Sequence, residues 1–292
     1  MSAMAATEDA WPLRVLGPTD LGAAAALALE AGWNQVAADW RIFLELGHVM
    51  GIDVPGRGVI ATAATLPLGP DVGWIGMMLV STTYRRQGLG RQLLGQCILD
   101  LAAQGLTPGL DATAAGRELY RRYDFQDALA ITRWRRERAA PVPTPPEAAV
   151  EVRPATAADL DLIAALDRAA FGYERRGVLA RLLERAPRLA TLALRRGEPC
   201  GCLLARDGRE ALQLGPLVAT DPAAPAALVA HVAARASDAA YLDLLDRHQD
   251  LCGWLATNGF APQRRFTRML YRRDEPPGDA RLAFAIAGPE LG

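Results

Sequence analysis

Apolar and small residues alternate over residues 58–66, turn residues occupy 67–71, and a second apolar run fills 72–80, which predicts two strands joined by a hairpin turn. From Gly90 the period changes. Leu93, Leu94, Cys97, Ile98, Leu101 and Ala102 recur at helical spacing, and Gly105 stops the run. A short buried strand over 106–113, a short helix over 117–123 and a strand over 128–135 complete this half of the chain. A strand, helix, strand crossover requires a parallel pair within an otherwise antiparallel sheet.

Pro141, Pro143, Pro145 and Pro146 interrupt the periodic pattern with an extended, semi-rigid segment. The stretches on either side resemble each other. Leu13, Arg14 and Val15 lead through Pro18, Thr19 and Asp20 into an Ala/Leu helix ending near Gly32, while residues 150–154 lead through Thr156 and Asp159 into a helix ending near Gly172. Further on, Tyr123-Asp124-Phe125 matches Asn258-Gly259-Phe260, each before an Arg-rich strand. An internal duplication follows, with one domain over 1–138, a linker over 139–150 and a related domain over 151–292.

The 292 residues suit two domains, and 51% hydrophobic with 22% charged residues is a globular composition. All 32 cations are arginine. Without lysine, a Walker A phosphate site, a pyridoxal Schiff base and a kinase-type strand lysine are excluded. Cys97, Cys200, Cys202 and Cys252 form no CxxC pair, and His48, His231 and His248 are far apart, so no metal is expected. A formal charge of −1 gives no general attraction for nucleic acid. The run Arg133, Arg135, Arg136 and Arg138 around Trp134 reads as the solvated face of a terminal edge strand, where charge discourages edge pairing. No apolar stretch reaches membrane-spanning length, and residues 1–10 lack the basic front of a signal peptide, so a cytoplasmic protein is expected.

The chemistry concentrates at Arg85-Arg86-Gln87-Gly88-Leu89-Gly90-Arg91, between a strand and a helix. The first turn of a helix presents unpaired N–H groups and the positive end of its dipole, so it can bind an anion through the main chain. Gly88 and Gly90 let the backbone approach such an anion, and Arg85, Arg86 and Arg91 add positive charge. Taken alone, the same residues also make an ordinary glycine turn.

Their context narrows the reading. Trp74-Ile75-Gly76-Met77-Met78-Leu79-Val80, then Tyr84 and Arg85-x-x-Gly88-x-Gly90, then Leu93-Leu94, resembles the acetyl-CoA-binding motif of the GNAT N-acetyltransferase superfamily. Leu119-Tyr120-Arg121-Arg122-Tyr123-Asp124-Phe125 resembles that family's Leu-Tyr-x-x-x-Gly-Phe segment, with Asp124 in place of Gly, a residue that also tolerates the left-handed backbone. The similarity covers residues 12–138. Residues 214–236 resemble the corresponding strand and helix, yet Thr220-Asp221-Pro222-Ala223-Ala224-Pro225 between them lacks GxG and holds two prolines, so no pyrophosphate cradle is expected there. This half resembles the degenerate GNAT-like domain that follows an active one in a group of bacterial acetyltransferases, and the tail over 283–292 fits it.

The resemblance implies an α/β fold of two tandem GNAT-like domains, each a mostly antiparallel twisted sheet whose central parallel pair splays at the cofactor site. It implies transfer of an acetyl group from acetyl-CoA to a primary amine of a small molecule or peptide, with a homodimer compatible. By the same resemblance, Leu79, Val80, Arg85, Arg86, Gln87, Gly88, Leu89, Gly90 and Arg91 contact the cofactor, and Tyr120 is the acid that protonates the CoA thiolate, or else packs against the cofactor. Trp33 and Asn34 fall where the family lines its acceptor site. Residues 74–80 hold no carboxylate, so the general base is unassigned, with a water relay, Asp111 or Asp39 as options beside their ordinary reading as caps. A non-catalytic acyl-CoA sensor or scaffold is the rival reading. The second domain is expected to wall the acceptor side, with the cofactor site wholly in residues 1–140.

Overall fold

The computed structural model describes residues 11–138, 140, 143, 150–236 and 238–292. Residues 1–10 and most of the proline segment, 139, 141, 142 and 144–149, lie outside the described residues, and with them the readings of a leader and a linker. The first half runs β1 (Leu13–Val15), α1 (Leu21–Glu30), α2 (Ala37–Leu46), β2 (His48–Val54), β3 (Gly58–Leu68), β4 (Val72–Val80), α3 (Leu89–Ala103), β5 (Thr107–Thr113), α4 (Ala114–Arg121) and β6 (Phe125–Arg136). The second half repeats that order as β7 (Glu151–Pro154), α5 (Leu160–Phe171), α6 (Arg176–Arg185), β8 (Thr191–Arg195), β9 (Glu198–Arg206), β10 (Leu212–Ala219), α7 (Ala224–Ala233), β11 (Ala240–Leu245), α8 (Gln249–Thr257) and β12 (Phe260–Tyr271), then adds β13 (Ala283–Ala285).

Equivalent residues make equivalent bonds in the two halves. Asp20 Oδ1 accepts from Arg14 at 2.7 Å, and its Oδ2 accepts from the Gly17 N–H at 2.8 Å. Asp159 takes the same two bonds from Arg153 at 2.6 Å and from the Thr156 N–H at 2.8 Å. Each aspartate thereby closes the turn between the first strand and the first helix of its half. The Arg14 bond and the Gly17 N–H hold the Asp20 carboxyl at about 2, well below the usual carboxylate range.

The thirteen strands among the described residues form one sheet in the order β1-β2-β3-β4-β5-β12-β6-β11-β13-β10-β9-β8-β7. The last strands of the two halves are exchanged. β12 lies antiparallel between β5 and β6, pairing Arg268 with Asp111 on one side and Phe266 with Ile131 on the other. β6 in turn pairs antiparallel with β11, Arg133 opposite Asp243. Helices α1, α2, α5 and α6 share one apolar cluster through Leu27, Phe43, Ile163 and Leu179, while α3 packs on the first half through Leu93 and Leu94, and α7 and α8 on the second through Leu228 and Leu255.

This exchange corrects two expectations. β6 is a central strand, so its arginines are not a solvated edge: Arg133 is 7% exposed and Arg136 2%. Arg133 donates through Nε and Nη2 to both oxygens of Asp243 at 2.7 Å, and its guanidinium lies 4.7 Å from the Tyr241 ring centre and 5.2 Å from that of Phe266. The first half is also not a closed sheet by itself, because β5 and β6 both depend on β12. A chain ending at residue 140 would lack the strand between them.

The elements over 58–113 fall close to the predicted ones. α4 begins earlier than expected because Thr113 caps it, its Oγ1 accepting from the Gly116 N–H at 3.3 Å. Asp124 takes the left-handed backbone, φ +62°, that the family places on glycine. The expected helix α1 is present, whereas α2 and β2 were not anticipated.

Asp243→Ala should leave Arg133 charged and unpaired at the centre of the sheet, a loss of about 3–5 kcal/mol for a buried pair. Equilibrium urea unfolding of the full chain measures it, and a stability unchanged from wild type would show that the pair does not hold the junction.

Candidate active site

The parallel pair that the crossover requires is short. β4 and β5 pair only at Val72, Gly73 and Trp74 with Thr107, Pro108 and Gly109, after which they diverge. A bulge in β4 marks the opening: the register against β3 shifts between Thr62 and Ala64, and Met77 adopts φ +51°. Thr62 Oγ1 donates to the Met77 carbonyl at 2.9 Å and fixes the bulge from the β3 side. Leu79 and Val80 lie beyond it, paired with Thr62 and Ala61, at the end of the splayed strand.

The loop after β4 turns directly into α3. Glu30 holds its start, accepting from the Thr82 N–H and Oγ1 at 2.6 Å and from Ser81 at 3.2 Å, and the Thr82 hydroxyl and N–H draw its carboxyl below the usual range. Arg86 takes φ +62° and Gly88 φ +86°, and α3 begins at Leu89. No described group accepts from the N–H groups of Arg86, Gln87, Gly88, Leu89, Gly90 or Arg91; the first bonded one is Gln92, which donates to the Gly88 carbonyl at 2.9 Å. Arg85, Arg86, Gln87 and Arg91 are exposed around them. A row of free N–H groups on a helix start, with cations beside it, is suited to a phosphate or pyrophosphate. A Cβ on Gly90 would touch only Val80 Cγ2, at 3.8 Å, so the face above the loop is open.

Below the loop, the diverging strands open on a cavity. The first half contributes Met77, Met78, Asp111 and Tyr120, and the second half contributes Glu210, Tyr241, Phe266 and Glu290. Tyr120 lies on α4 with its hydroxyl 3.7 Å from Met78 Sδ and its ring 6.0 Å from that of Phe125. Burial pushes its phenol up to about 12, so it remains a proton donor throughout the neutral range.

Trp33 and Asn34 both line this cavity, but the Asn34 amide is already engaged. Its Oδ1 accepts from the N–H groups of Glu210 and Ala211 at 2.9 and 3.1 Å, and its Nδ2 donates to the Ala211 carbonyl at 2.9 Å. Asn34 therefore clamps the second half onto the first. Asp111 is bonded through both oxygens to Arg268 at 2.9 Å, and Asp39 caps α2 through the Val36 N–H at 2.7 Å while pairing with Arg185 and Arg206. Neither carboxylate is free to accept a proton from a bound molecule.

The equivalent place in the second half is filled. β10 and β11 also pair at three positions and diverge, but β13 runs between them, Ala285 opposite both Leu217 and Leu244. The start of α7 is satisfied internally, with Asp221 accepting from the Ala223 and Ala224 N–H groups, and Pro225 contributing none. Among the described residues no group of three or more His, Cys, Asp or Glu side chains could hold a metal, and no helix is long and apolar enough to cross a membrane.

Family models describing an acetyltransferase (GNAT) domain match residues 45–127 and again residues 163–285. The chain belongs to the GNAT acetyltransferases. It is 23% identical over 264 residues to the Bacillus subtilis protein YitH, an uncharacterized N-acetyltransferase by its name, with 90% of this chain and 92% of that one covered. In fold it is similar to a protein of Pyrococcus horikoshii classed as an acetyltransferase, with a TM-score of 0.79, 18% identity, and 100% and 99% of the two chains covered. A tandem GNAT protein from the clavulanic acid biosynthesis pathway matches with a TM-score of 0.64 and 17% identity over 92% of this chain and 100% of that one. The second GNAT match coincides with the repeated element order, so both halves share the GNAT architecture although only the first presents an open splay.

Replacing Asn34 with Ala would strand two N–H groups at the junction, an expected loss of about 1–3 kcal/mol. Chemical denaturation of the variant tests this, and unchanged stability would mean that the 210–211 loop is held by other contacts.

Proposed function

We propose that the protein transfers an acetyl group from acetyl-CoA to a primary amine of another molecule, using the first half as the catalytic GNAT domain. The observation that carries this reading is the row of six unbonded N–H groups, Arg86 to Arg91, at the start of α3, directly above a splayed β4–β5 pair with Tyr120 at its side. The pyrophosphate would rest on those N–H groups, with Arg85, Arg86 and Arg91 neutralising it, and the Leu79–Val80 end of β4 would receive the pantetheine arm by hydrogen bonds to exposed main chain. The thioester would then lie near Met77 and Met78, within the cavity that Tyr120 lines.

In this reading Tyr120 gives its proton to the departing thiolate, burial keeping the phenol protonated until then. We divide the chain accordingly into 1–138, 139–150 and 151–292, the last without a cofactor site of its own because β13 and Asp221 occupy the equivalent positions. The chain has no lysine, so lysine self-acetylation is unavailable.

Calorimetry on the full-length protein should give one acetyl-CoA per chain. Gly90→Val should remove that binding without loss of fold, since only added bulk beside Val80 changes; undiminished affinity in the folded variant would sink the cradle assignment. Binding without release of CoA thiol over a panel of primary amines would turn the reading to an acyl-CoA sensor. Tyr120→Phe keeps the ring and deletes the proton, so turnover should fall by ~10²- to 10⁴-fold with acetyl-CoA affinity retained. Near-normal turnover would return Tyr120 to packing.

A further inference from the structure

The cavity beside β4 is floored by the chain's own C-terminal segment. After β13, residues 286–292 cross beneath the first half, where Trp74 Nε1 donates to the Pro289 carbonyl at 3.0 Å. A methyl group on Gly76 would meet the Glu290 carbonyl at 2.8 Å, so glycine at this point of β4 lets the segment lie against the strand. Arg175, itself bonded to both oxygens of Asp167 at 2.8 Å, donates to the carbonyls of Leu291 at 3.0 Å and of Gly292. Glu290 is thereby fixed on both sides, by Trp74 before it and by Arg175 after it.

The side chain of Glu290 is 3% exposed and only half satisfied. Its Oε1 accepts from Arg206 Nη2, whereas its Oε2 is buried and accepts from no described group. A buried carboxylate oxygen without a donor is costly and calls for an explanation. The charged groups around it come from five elements, β9, α2, α6, β6 and β11. Arg206 at the end of β9 is shared with Asp39 on α2, Asp39 is shared in turn with Arg185 on α6, and Arg133 on β6 is held by Asp243. Arg185 pairs with Asp207 as well, so each of the other cations has a further carboxylate beside it. Burial raises the Glu290 carboxyl above its ordinary range, with Arg206 and Arg133 opposing the rise and Asp39 adding to it.

We infer that Glu290 receives the ammonium group of the acceptor at its free oxygen and takes its proton, so the second half supplies the catalytic base that β4 lacks. The inference rests on the acetyltransfer reading given above. One proton passes from the ammonium to the carboxylate, leaving a neutral amine. The nitrogen lone pair attacks the thioester carbon, the C–N bond forms, the C–S bond breaks, and its electron pair leaves on sulfur. Tyr120 protonates that sulfur and recovers a proton from the newly bonded nitrogen, and Glu290 returns its proton to water. The net change is ammonium plus thioester to amide, thiol and one proton.

Two probe amines of similar size separate a base from a merely structural carboxylate. Ethylamine is an ammonium ion at neutral pH, whereas trifluoroethylamine is already neutral there and needs no base. Thiol release by wild type and by Glu290→Gln is measured with each amine, beside calorimetric affinity for acetyl-CoA. The expected result is unchanged acetyl-CoA affinity, a fall of ~10²-fold or more with ethylamine, and a much smaller fall with trifluoroethylamine. Equal falls with both amines, or none, overturn the assignment. If Glu290→Gln does not fold, Glu290→Asp keeps the charge facing Arg206 and should show the same selective loss; equal losses there also overturn it. Wild type that binds acetyl-CoA but acetylates no amine instead defeats the acetyltransfer reading itself, and with it the base.

Discussion

Everything at the centre of this molecule depends on the exchange of two strands. β12 fills the gap that β5 and β6 leave in the first half, and β6 extends the second half at β11, so neither half completes its sheet without the other. Sheet hydrogen bonding alone does not specify such an exchange, because any strand edge can pair with any other. Two buried ion pairs add the specificity. Arg268 of β12 meets Asp111 of β5, and Arg133 of β6 meets Asp243 of β11, each across the exchanged junction and each bonded through both carboxylate oxygens. A slip of one residue would turn these charges to the opposite face, away from their partners. Register is therefore fixed next to β5, where β4 and β5 splay apart.

The duplication yields one open splay and one closed, from nearly the same topology. In each half the parallel pair is three residues long before it diverges. What differs is local: glycines and unbonded N–H groups at the start of α3, against a self-capping Asp221 and prolines at the start of α7, and a β13 strand that occupies the second splay. The second half has in this way become a wall and a floor. It contributes Glu210 and Tyr241 to the cavity side and Glu290 to its base, while Asn34 and the Asp39 pairs bind it to the helices of the first half.

How far this could be read from residues alone depended on the range of the interactions involved. The β4–loop–α3 unit was legible because its signals lie within about twenty positions: an apolar run, two glycines, then helical periodicity. The duplication was legible through repeated turn chemistry such as Arg14–Asp20 and Arg153–Asp159. The Arg-rich strand was misread because charge normally marks a solvent face, and only a carboxylate 110 residues away, Asp243, makes Arg133 a buried residue. Choice of strand partner is likewise non-local, so the exchange of β6 and β12 left no trace in hydrophobic pattern. Asn34 was picked out by its position after α1, but its role as a clamp depends on main-chain groups of residues 210 and 211.

The segment after β13 ties the second half to the first. A strand that only plugged the second splay could stop at Ala285. Here residues 286–292, nearly all buried, lie beyond it and bond to Arg175 and Arg206, two cations whose own burial requires partners. The same bonds that satisfy those arginines set the depth of Pro289 and Glu290 against β4. Packing, charge compensation and the shape of the cavity floor are thus one arrangement. Loosening the tail to relieve any one of them would disturb the other two, which ties the geometry beside the β4 bulge to the integrity of a domain that has no open cradle of its own.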